Sequence, residues 1–165
     1  MNKDAIQRLL SKIAFFAPGG YTIRPWLHKR RGVRIGKNVW ISQYVYIDEA
    51  HPENICLEDN VTIGLRCTLF THMYSGKYSP GKKVGKILIK KNSYIGPHCV
   101  IFHEVTIGEG SVIAAGSMVA KDVPPGVLYG PPLPSSLARV TRPLIKGKNM
   151  NYTNFLLGLR PLQEK

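Results

Sequence analysis

Aliphatic residues recur every six positions along this 165-residue chain, a period that belongs neither to an α-helix nor to an ordinary strand. One run of six and two shorter runs of three share the period: Ile89, Ile95, Ile101, Ile107, Ile113 and Val119, preceded by Ile35, Ile41 and Ile47 and by Leu57, Ile63 and Leu69. Three hexads make one triangular coil, so the pattern predicts an all-β parallel solenoid of about four coils with the aliphatic side chains inside.

A second set of residues keeps the same period and explains how the chain can turn. Small or β-branched side chains stand four places after each aliphatic, as at Val45, Cys67, Ser93 and Ser111, and glycine often follows the aliphatic directly. Small side chains leave room for a sharp bend between short strands. Each hexad is therefore predicted to form one strand and one corner.

Segments that leave the repeat define the organisation of the chain. We expect an N-terminal amphipathic helix and connector over residues 1–32, the β-helix over residues 33–125, and a C-terminal tail over residues 126–165. In the helix, Asp4 is a candidate cap, and five residues form an apolar stripe: Ile6, Leu9, Leu10, Ile13 and Phe16. We expect this helix to cover one end of the prism. Residues 73–86 interrupt the repeat and predict an exposed excursion loop of functional length. Four extra residues between Ile47 and Leu57 predict a smaller loop.

Charge outside the coils bears on the partners. The formal net charge is +13, and nine of the Lys and Arg residues lie within residues 1–37. This excess favours an anionic ligand, such as the phosphates of a cofactor or an anionic membrane surface, whereas nucleic acid has no recognisable motif here. No apolar stretch approaches the ~20 residues that span a bilayer, so we expect a cytoplasmic protein whose basic N-terminal helix could adsorb to the inner face of the membrane.

Residues 105–125 read VTIGEGSVIAAGSMVAKDVPP. This segment resembles the C-terminal coils of the hexapeptide-repeat acyltransferases, and in particular the galactoside, maltose and polysaccharide O-acetyltransferases. The resemblance implies a left-handed β-helix. The hand comes from the resemblance alone, since the general rule for parallel crossovers favours right-handed connections. The resemblance further implies a homotrimer that transfers an acetyl group from acetyl-CoA to a saccharide hydroxyl, with no metal involved.

His72 is the candidate catalytic base. It follows Leu69, Phe70 and Thr71 at the point where the coil breaks into the long loop, and a histidine can accept a proton near neutral pH. The position also matches the catalytic histidine of the similar O-acetyltransferases, although Met73 stands where those enzymes often have proline. Asp48 and Glu49 are candidate acidic partners of His72.

Cofactor and acceptor residues are implied by the same resemblance. The positions that correspond to acetyl-CoA contacts in the family lie in the later coils and in the tail: Pro97, Ala115, Ala120, Lys121 and Arg139, with Arg142 as a substitute for the last. Pro97 and Ala120 replace the serine and threonine that are common there. Tyr44 takes the place of an asparagine that contacts the acceptor sugar, and Tyr74 in the excursion loop could stack on a sugar ring.

Three other functions remain open at this point. N-acetylation of an amino sugar or another amine would use the same machinery. A γ-class carbonic anhydrase shares the solenoid and binds zinc through three histidines, for which His72, His98 and His103 are candidates, although the last two are displaced by one residue from that family's pattern. A non-catalytic hexapeptide assembly module would have no affinity for coenzyme A.

Overall fold

A computed structural model describes most of the chain, namely residues 3–73, 83–131, 138–143, 145–146 and 149–161. It divides into two compact units, Met1–Pro131 and Pro132–Lys165. The first unit begins with two helices, α1 (Lys3–Phe16) and α2 (Ile23–Arg30), and continues into the β-helix. α1 was predicted from the sequence, whereas α2 lies in the segment interpreted as a connector.

The β-helix is left-handed and has three parallel sheets, to which each coil contributes one short strand. Sheet A contains, in spatial order, β1 (Arg34–Ile35), β4 (Ile55–Leu57), β9 (Ile87–Ile89) and β12 (Val105–Ile107). Sheet B contains β2 (Trp40–Ile41), β5 (Thr62–Ile63), β10 (Tyr94–Ile95), β13 (Val112–Ile113) and β15 (Leu128–Tyr129). Sheet C contains β3 (Tyr46–Ile47), β6 (Thr68–Leu69), β11 (Val100–Ile101) and β14 (Met118–Val119). Because β15 pairs with β13, the β-helix extends past residue 125, where it was expected to end.

The core is the predicted column of aliphatic side chains. Apart from Ile35, which is partly buried at the edge of the first coil, the hexad positions are at most 1% exposed. Strand register stacks them directly, as in the pairing of Leu57 with Ile89 and of Ile89 with Ile107. Removing this apolar surface from water is the main source of stability of the coils.

Corners between the sheets depend on backbone in the left-handed region. At the corner between sheets A and B, asparagines in consecutive coils have φ of 52°, 59° and 61°: Asn38, Asn60 and Asn92. Asparagine tolerates this conformation better than most residues do. The glycines of the hexads answer a different need, because a Cβ at Gly96 would lie 2.7 Å from the backbone nitrogen of Ala115 in the next coil.

Two buried arginines close the N-terminal end of the coils. Backbone N–H groups of the first coil donate to the second, as from Tyr46 to Cys67, which leaves first-coil carbonyls without an upstream strand. Arg24 donates to the carbonyls of Ile41 and Ala17 at 2.6 and 2.5 Å. Arg31 donates to the carbonyls of Ile47 and Asp48 at 3.1 and 2.7 Å. The two guanidinium groups thus replace the donors of a missing coil, which buried carbonyls require.

α1 contacts the first coil, where the Tyr44 N–H donates to the Phe15 carbonyl and the Phe15 ring packs edge-on against Tyr44. Its buried face consists of the small residues Ser11, Ala14 and Ala17, and Leu10 packs in part against the cluster that Ala14 and Ala17 form with Leu27 of α2. Most of the apolar stripe is exposed: Ile6, Leu9, Ile13 and Phe16. Hydrophobicity alone does not say which face of a helix meets its neighbour, and small residues allow the closer approach.

Two short antiparallel strands flank the excursion loop. β7 (His72–Met73) pairs antiparallel with β8 (Lys83–Val84), and residues 74–82 between them, including Tyr74, lie outside the described residues. The second unit contains β16 (Arg139–Val140), β17 (Ile145–Lys146), β18 (Asn149–Met150), α3 (Tyr152–Leu157) and β19 (Leu159–Arg160). Within the described ranges, no helix has the length and apolar character needed to cross a membrane.

Candidate active site

His72 and Asp48 meet at the corner between sheets C and A. Asp48 directly follows β3, and His72 lies three residues after the end of β6 in the next coil. The distance between His72 Nδ1 and Asp48 Oδ2 is 2.6 Å. An ionised carboxylate can only accept, so His72 donates its Nδ1 proton and directs Nε2 as the basic nitrogen. Of the two predicted acidic partners, the structure selects Asp48.

Asp48 is held in place by a full set of donors. Its side chain is 0% exposed. Oδ2 accepts from the Thr71 backbone N–H at 2.8 Å and from the Thr71 hydroxyl at 2.7 Å, and Oδ1 accepts from the backbone N–H of Ala50 at 2.8 Å. Burial alone would raise the pKa of Asp48, but the hydrogen bonds from Thr71, Ala50 and His51 outweigh it and hold that pKa below its usual value. Asp48 is therefore a fixed negative charge behind the imidazole.

A second histidine stands beside the first. The ring centroids of His51 and His72 are 6.0 Å apart, nearly perpendicular, and His51 Nδ1 lies 3.5 Å from Glu53 Oε1. His51 belongs to the four-residue insertion, which was predicted as a loop and contains a short 3-10 turn over Pro52–Asn54. Sequence reasoning did not place His51 at the site. The available signal was that the insertion falls at the same corner of the first coil as His72 does in the second.

Arg31 connects the N-terminal end to this site. The same guanidinium that donates to the Asp48 carbonyl also lies 2.9 Å from His28 Nδ1. Burial, followed by the charges of Arg31 and Arg24, lowers the pKa of His28 to about 3, so His28 is neutral and its Nδ1 accepts from Arg31. Neither residue was singled out from the sequence, because both lie outside the repeat.

The predicted cofactor residues fall on two corners. Pro97 and Ala115 lie at the corner between sheets B and C, where the carbonyl of Pro97 accepts from Gly116 N–H at 2.9 Å. Ala120 and Lys121 follow β14 at the corner between sheets C and A, the one that carries His72, and both are exposed. Sheet C separates the two groups within one chain. Arg139 belongs to the second unit, where β16 pairs with β19.

Tyr44 lies at the corner between sheets B and C, with φ of 58°. Its ring packs edge-on against Phe15 and Phe16, with centroids 5.5 and 5.9 Å away, and the Arg66 guanidinium lies 5.7 Å from the ring centroid. Within one chain, Tyr44 is thus separated from His72 by the width of sheet C. These contacts make its ring part of a small aromatic cluster with α1.

The histidines considered for zinc are not assembled into one group. His98 is exposed at the corner between sheets B and C with φ of 59°, whereas His72 lies at the opposite edge of sheet C. His103 Nδ1 faces Glu104 Oε2 at 3.9 Å. Among the residues that the structure describes, no three His, Cys, Asp or Glu side chains are arranged to hold a metal ion.

Comparisons with known proteins agree with this architecture. Residues 86–121 match the profile of the family described as bacterial transferase hexapeptide (six repeats). YvoF of Bacillus subtilis (strain 168), which is named as an acetyltransferase, is 34% identical over 110 residues, or 66% of this chain and 62% of YvoF. Galactoside acetyltransferase in complex with coenzyme A has a TM-score of 0.53 and 29% identity, over 76% of this chain and 74% of that one.

A further solved structure has the same fold. The hexapeptide-repeat acetyltransferase VCA0836 of Vibrio cholerae O1 biovar eltor, complexed with acetyl coenzyme A, has a TM-score of 0.61 and 24% identity over 74% of this chain and 79% of that one. The fold and the corner site define a three-sided hexapeptide-repeat protein. Residues 86–121 match the repeats of that transferase family, and the chain shares its fold with these solved structures. The chain spans less than two thirds of the length of YvoF.

Proposed function

We propose that this protein transfers an acetyl group from acetyl-CoA to a hydroxyl group of a saccharide, with His72 as the general base. The observation that carries the proposal is the 2.6 Å contact between His72 Nδ1 and the buried carboxylate of Asp48. A histidine paired with a fixed carboxylate is oriented for proton transfer through its other nitrogen. The similarity to galactoside acetyltransferase, which was solved with coenzyme A, supports the choice of donor.

In the proposed reaction, His72 Nε2 accepts the proton of the acceptor hydroxyl as its oxygen attacks the thioester carbonyl. The tetrahedral intermediate then expels the thiolate of coenzyme A, which takes the proton from the imidazolium. The products are the acetyl ester and free coenzyme A. Asp48 stays ionised throughout because its hydrogen bonds keep its pKa low, and its charge stabilises the transient imidazolium.

We further propose that acetyl-CoA binds between subunits of a homotrimer. The candidate cofactor residues lie on two corners of one chain that sheet C separates, so one ligand could meet both groups where neighbouring chains adjoin. Lys121 follows the fourth-coil strand of sheet C, two coils from the strand that precedes His72. At about 4.8 Å per coil, this offset is about 10 Å, within reach of an extended pantetheine arm.

An aromatic side chain next to Asp48 favours a saccharide acceptor. The half-buried ring of Tyr46 belongs to β3, the strand that Asp48 directly follows, and aromatic faces suit sugar rings. An amino sugar would present an amine to the same base. The products distinguish the two reactions, because hydroxylamine cleaves an acetyl ester and leaves an amide intact.

The test is release of free thiol from acetyl-CoA with a panel of sugars, amino sugars and polysaccharide precursors. His72→Ala should lower turnover by about 10²–10⁴-fold, the usual contribution of a general base, while acetyl-CoA affinity measured by calorimetry stays within about threefold. Asp48→Asn should lower turnover less, because the base remains but loses the charge that stabilises its protonated form.

His98→Ala is the matched control, since it removes an exposed histidine from another corner of the same β-helix. It should retain wild-type turnover. If His72→Ala keeps more than about a tenth of wild-type turnover with chemistry rate-limiting, the base is not His72. If the wild type releases no thiol with any acceptor and shows no affinity for acetyl-CoA, the chain is better described as a non-catalytic assembly module.

A further inference from the structure

α1 has an unusual distribution of side chains for a helix packed on a protein. Its inner face is made of small residues, with Ser11, Ala14 and Ala17 buried. Its outer face carries a continuous stripe of large apolar side chains that are 39%, 48%, 46% and 67% exposed: Ile6, Leu9, Ile13 and Phe16. Spacings of three, four and three residues place these four on one side of the helix. In the part of the chain that the structure describes, these four side chains remain exposed, as the side chains of a docking surface do.

α2, which packs against α1, adds to the exposed apolar area. Ile23 is 44% exposed and Trp26 is 52% exposed. The guanidinium of Arg30 lies 5.1 Å from the Trp26 ring centroid. We call the six exposed residues of the two helices the N-terminal apolar surface: Ile6, Leu9, Ile13, Phe16, Ile23 and Trp26. Six large apolar side chains exposed on two packed helices mark an interaction site more often than a solvated surface.

The charge around this surface indicates the kind of partner. Residues 1–37 contain nine Lys or Arg and a single acidic residue, Asp4. Two of the nine, Arg24 and Arg31, are buried and bound to carbonyls, but the basic side chains of the two helices that accompany the apolar residues are exposed: Arg8, Lys12, Lys29 and Arg30. A two-fold contact between copies through this surface would bring these like charges together. An anionic partner would neutralise them.

We propose that the N-terminal apolar surface docks on an anionic phospholipid bilayer. Leu, Ile, Phe and Trp side chains would enter the boundary between headgroups and acyl chains, while the flanking Lys and Arg side chains contact lipid phosphates. Tryptophan at the edge of such a surface is typical of membrane interfaces. The attachment is peripheral: the helix lies on the membrane and the β-helix stays in water.

Vesicle sedimentation of the full chain tests the proposal. The protein should pellet with vesicles containing one part phosphatidylglycerol to three parts phosphatidylcholine, and bind at least about tenfold more weakly to phosphatidylcholine alone or in 0.5 M salt. Leu9→Gln with Phe16→Gln should weaken binding at least about tenfold, because both polar side chains would replace inserted apolar ones. Arg8→Gln with Lys12→Gln should weaken binding and reduce its salt dependence.

Matched controls come from the far end of the β-helix. Met118 and Leu128 are 67% and 77% exposed, at least as much as any residue of the stripe of α1, but they lie on strands of the coils. Met118→Gln with Leu128→Gln should bind vesicles like the wild type. In a Trp40→Phe background, which leaves Trp26 as the single tryptophan, emission should shift to shorter wavelength when anionic vesicles are added.

Light scattering and thermal unfolding accompany each variant. The proposal is overturned if the wild type does not pellet with anionic vesicles, or if Leu9→Gln with Phe16→Gln binds them equally well. It is also overturned if that double variant loses a subunit from the wild-type oligomer, since the stripe would then be a contact between copies. Turnover in the thiol-release assay with soluble acceptors should be unchanged in the folded double variant, so docking and catalysis can fail separately.

Discussion

Two buried regions of the β-helix are built in opposite ways. The interior of the coils is a stack of aliphatic side chains, such as Ile95, Ile101 and Ile113, each 0% exposed. The N-terminal end and the adjoining corner are buried to a similar degree but polar: Arg31 and His28 are each 1% exposed and Asp48 is 0% exposed. The first region depends on shape and apolar area. The second depends on hydrogen bonds such as those of Arg31 to the carbonyls of Ile47 and Asp48, because an unpaired buried polar group is costly.

This difference separates what holds the fold from what gives it function. The repeating column recurs in every coil and has no chemistry of its own. The polar cluster lies where the repeat begins, and its hydrogen bonds connect Arg31 to Asp48 and Asp48 to His72. Breaking each region should therefore have a different consequence.

The largest effect is expected from a charge in the column. Ile101→Asp would bury an unpaired carboxylate, at a cost of several kcal/mol, a large part of the total stability of a typical domain. We expect no soluble folded protein, as judged by gel filtration and circular dichroism. Val112→Asp is the matched control, because Val112 points outward from β13 and is 38% exposed. A soluble, cooperatively unfolding Ile101→Asp protein would contradict the assignment of the column.

The column was also the part that sequence predicted well. A strict six-residue period leaves little choice about which side chains point inward, and Ile41, Leu69 and Ile107 are buried as expected. Corner geometry was predicted only in outline. Asparagine recurs at the same place in successive coils, and the backbone is left-handed there, at Asn38, Asn60 and Asn92. The aliphatic period alone does not reveal this.

The site was predicted in part. His72 could be selected because it stands where the repeat breaks, and Asp48 was one of two candidate partners. Arg31, His28 and His51 could not be found in the same way. Their positions depend on how segments without a repeat fold back on the first coil, and that depends on contacts between residues such as Arg31 and Asp48 that are 17 positions apart. A period constrains neighbouring coils only.

The next prediction compares substitutions of the two capping arginines, Arg31 and Arg24. Arg31→Met and Arg24→Met each leave buried first-coil carbonyls without a donor, and each should lower the free energy of unfolding by about 2–3 kcal/mol. Their effects on activity should differ, because Arg31 contacts Asp48 whereas Arg24 contacts Ile41 and Ala17. Urea denaturation at fixed protein concentration measures the free energy of unfolding, and the pH profile of kcat/KM measures the effect on activity.

Only Arg31→Met should lower kcat/KM beyond its loss of folded protein and shift the limb of the profile that reports the base, since a displaced Asp48 no longer fixes the imidazole. Arg31→Lys, which restores one donor, should recover part of the loss. Equal pH profiles for Arg31→Met and Arg24→Met would mean that Arg31 has a structural role alone, and that the polar region is two independent parts.

The smallest effect is a dependence of stability on pH that the apolar column cannot produce. His28 has its pKa lowered to about 3 in the folded protein, mainly by burial, against about 6.5 when unfolded. The unfolded chain therefore binds a proton that the folded chain does not, and stability falls as the pH drops below about 6.5, by about 2 kcal/mol at pH 5. Asp48 affects stability at lower pH: its pKa is depressed in the folded protein, so its contribution to stability is lost only below about pH 4.

His28→Asn keeps an acceptor for Arg31 without a titrating ring. Urea denaturation at pH 7, 6 and 5 should show a flatter profile for this variant than for the wild type, and equal slopes would show that another group governs acid stability.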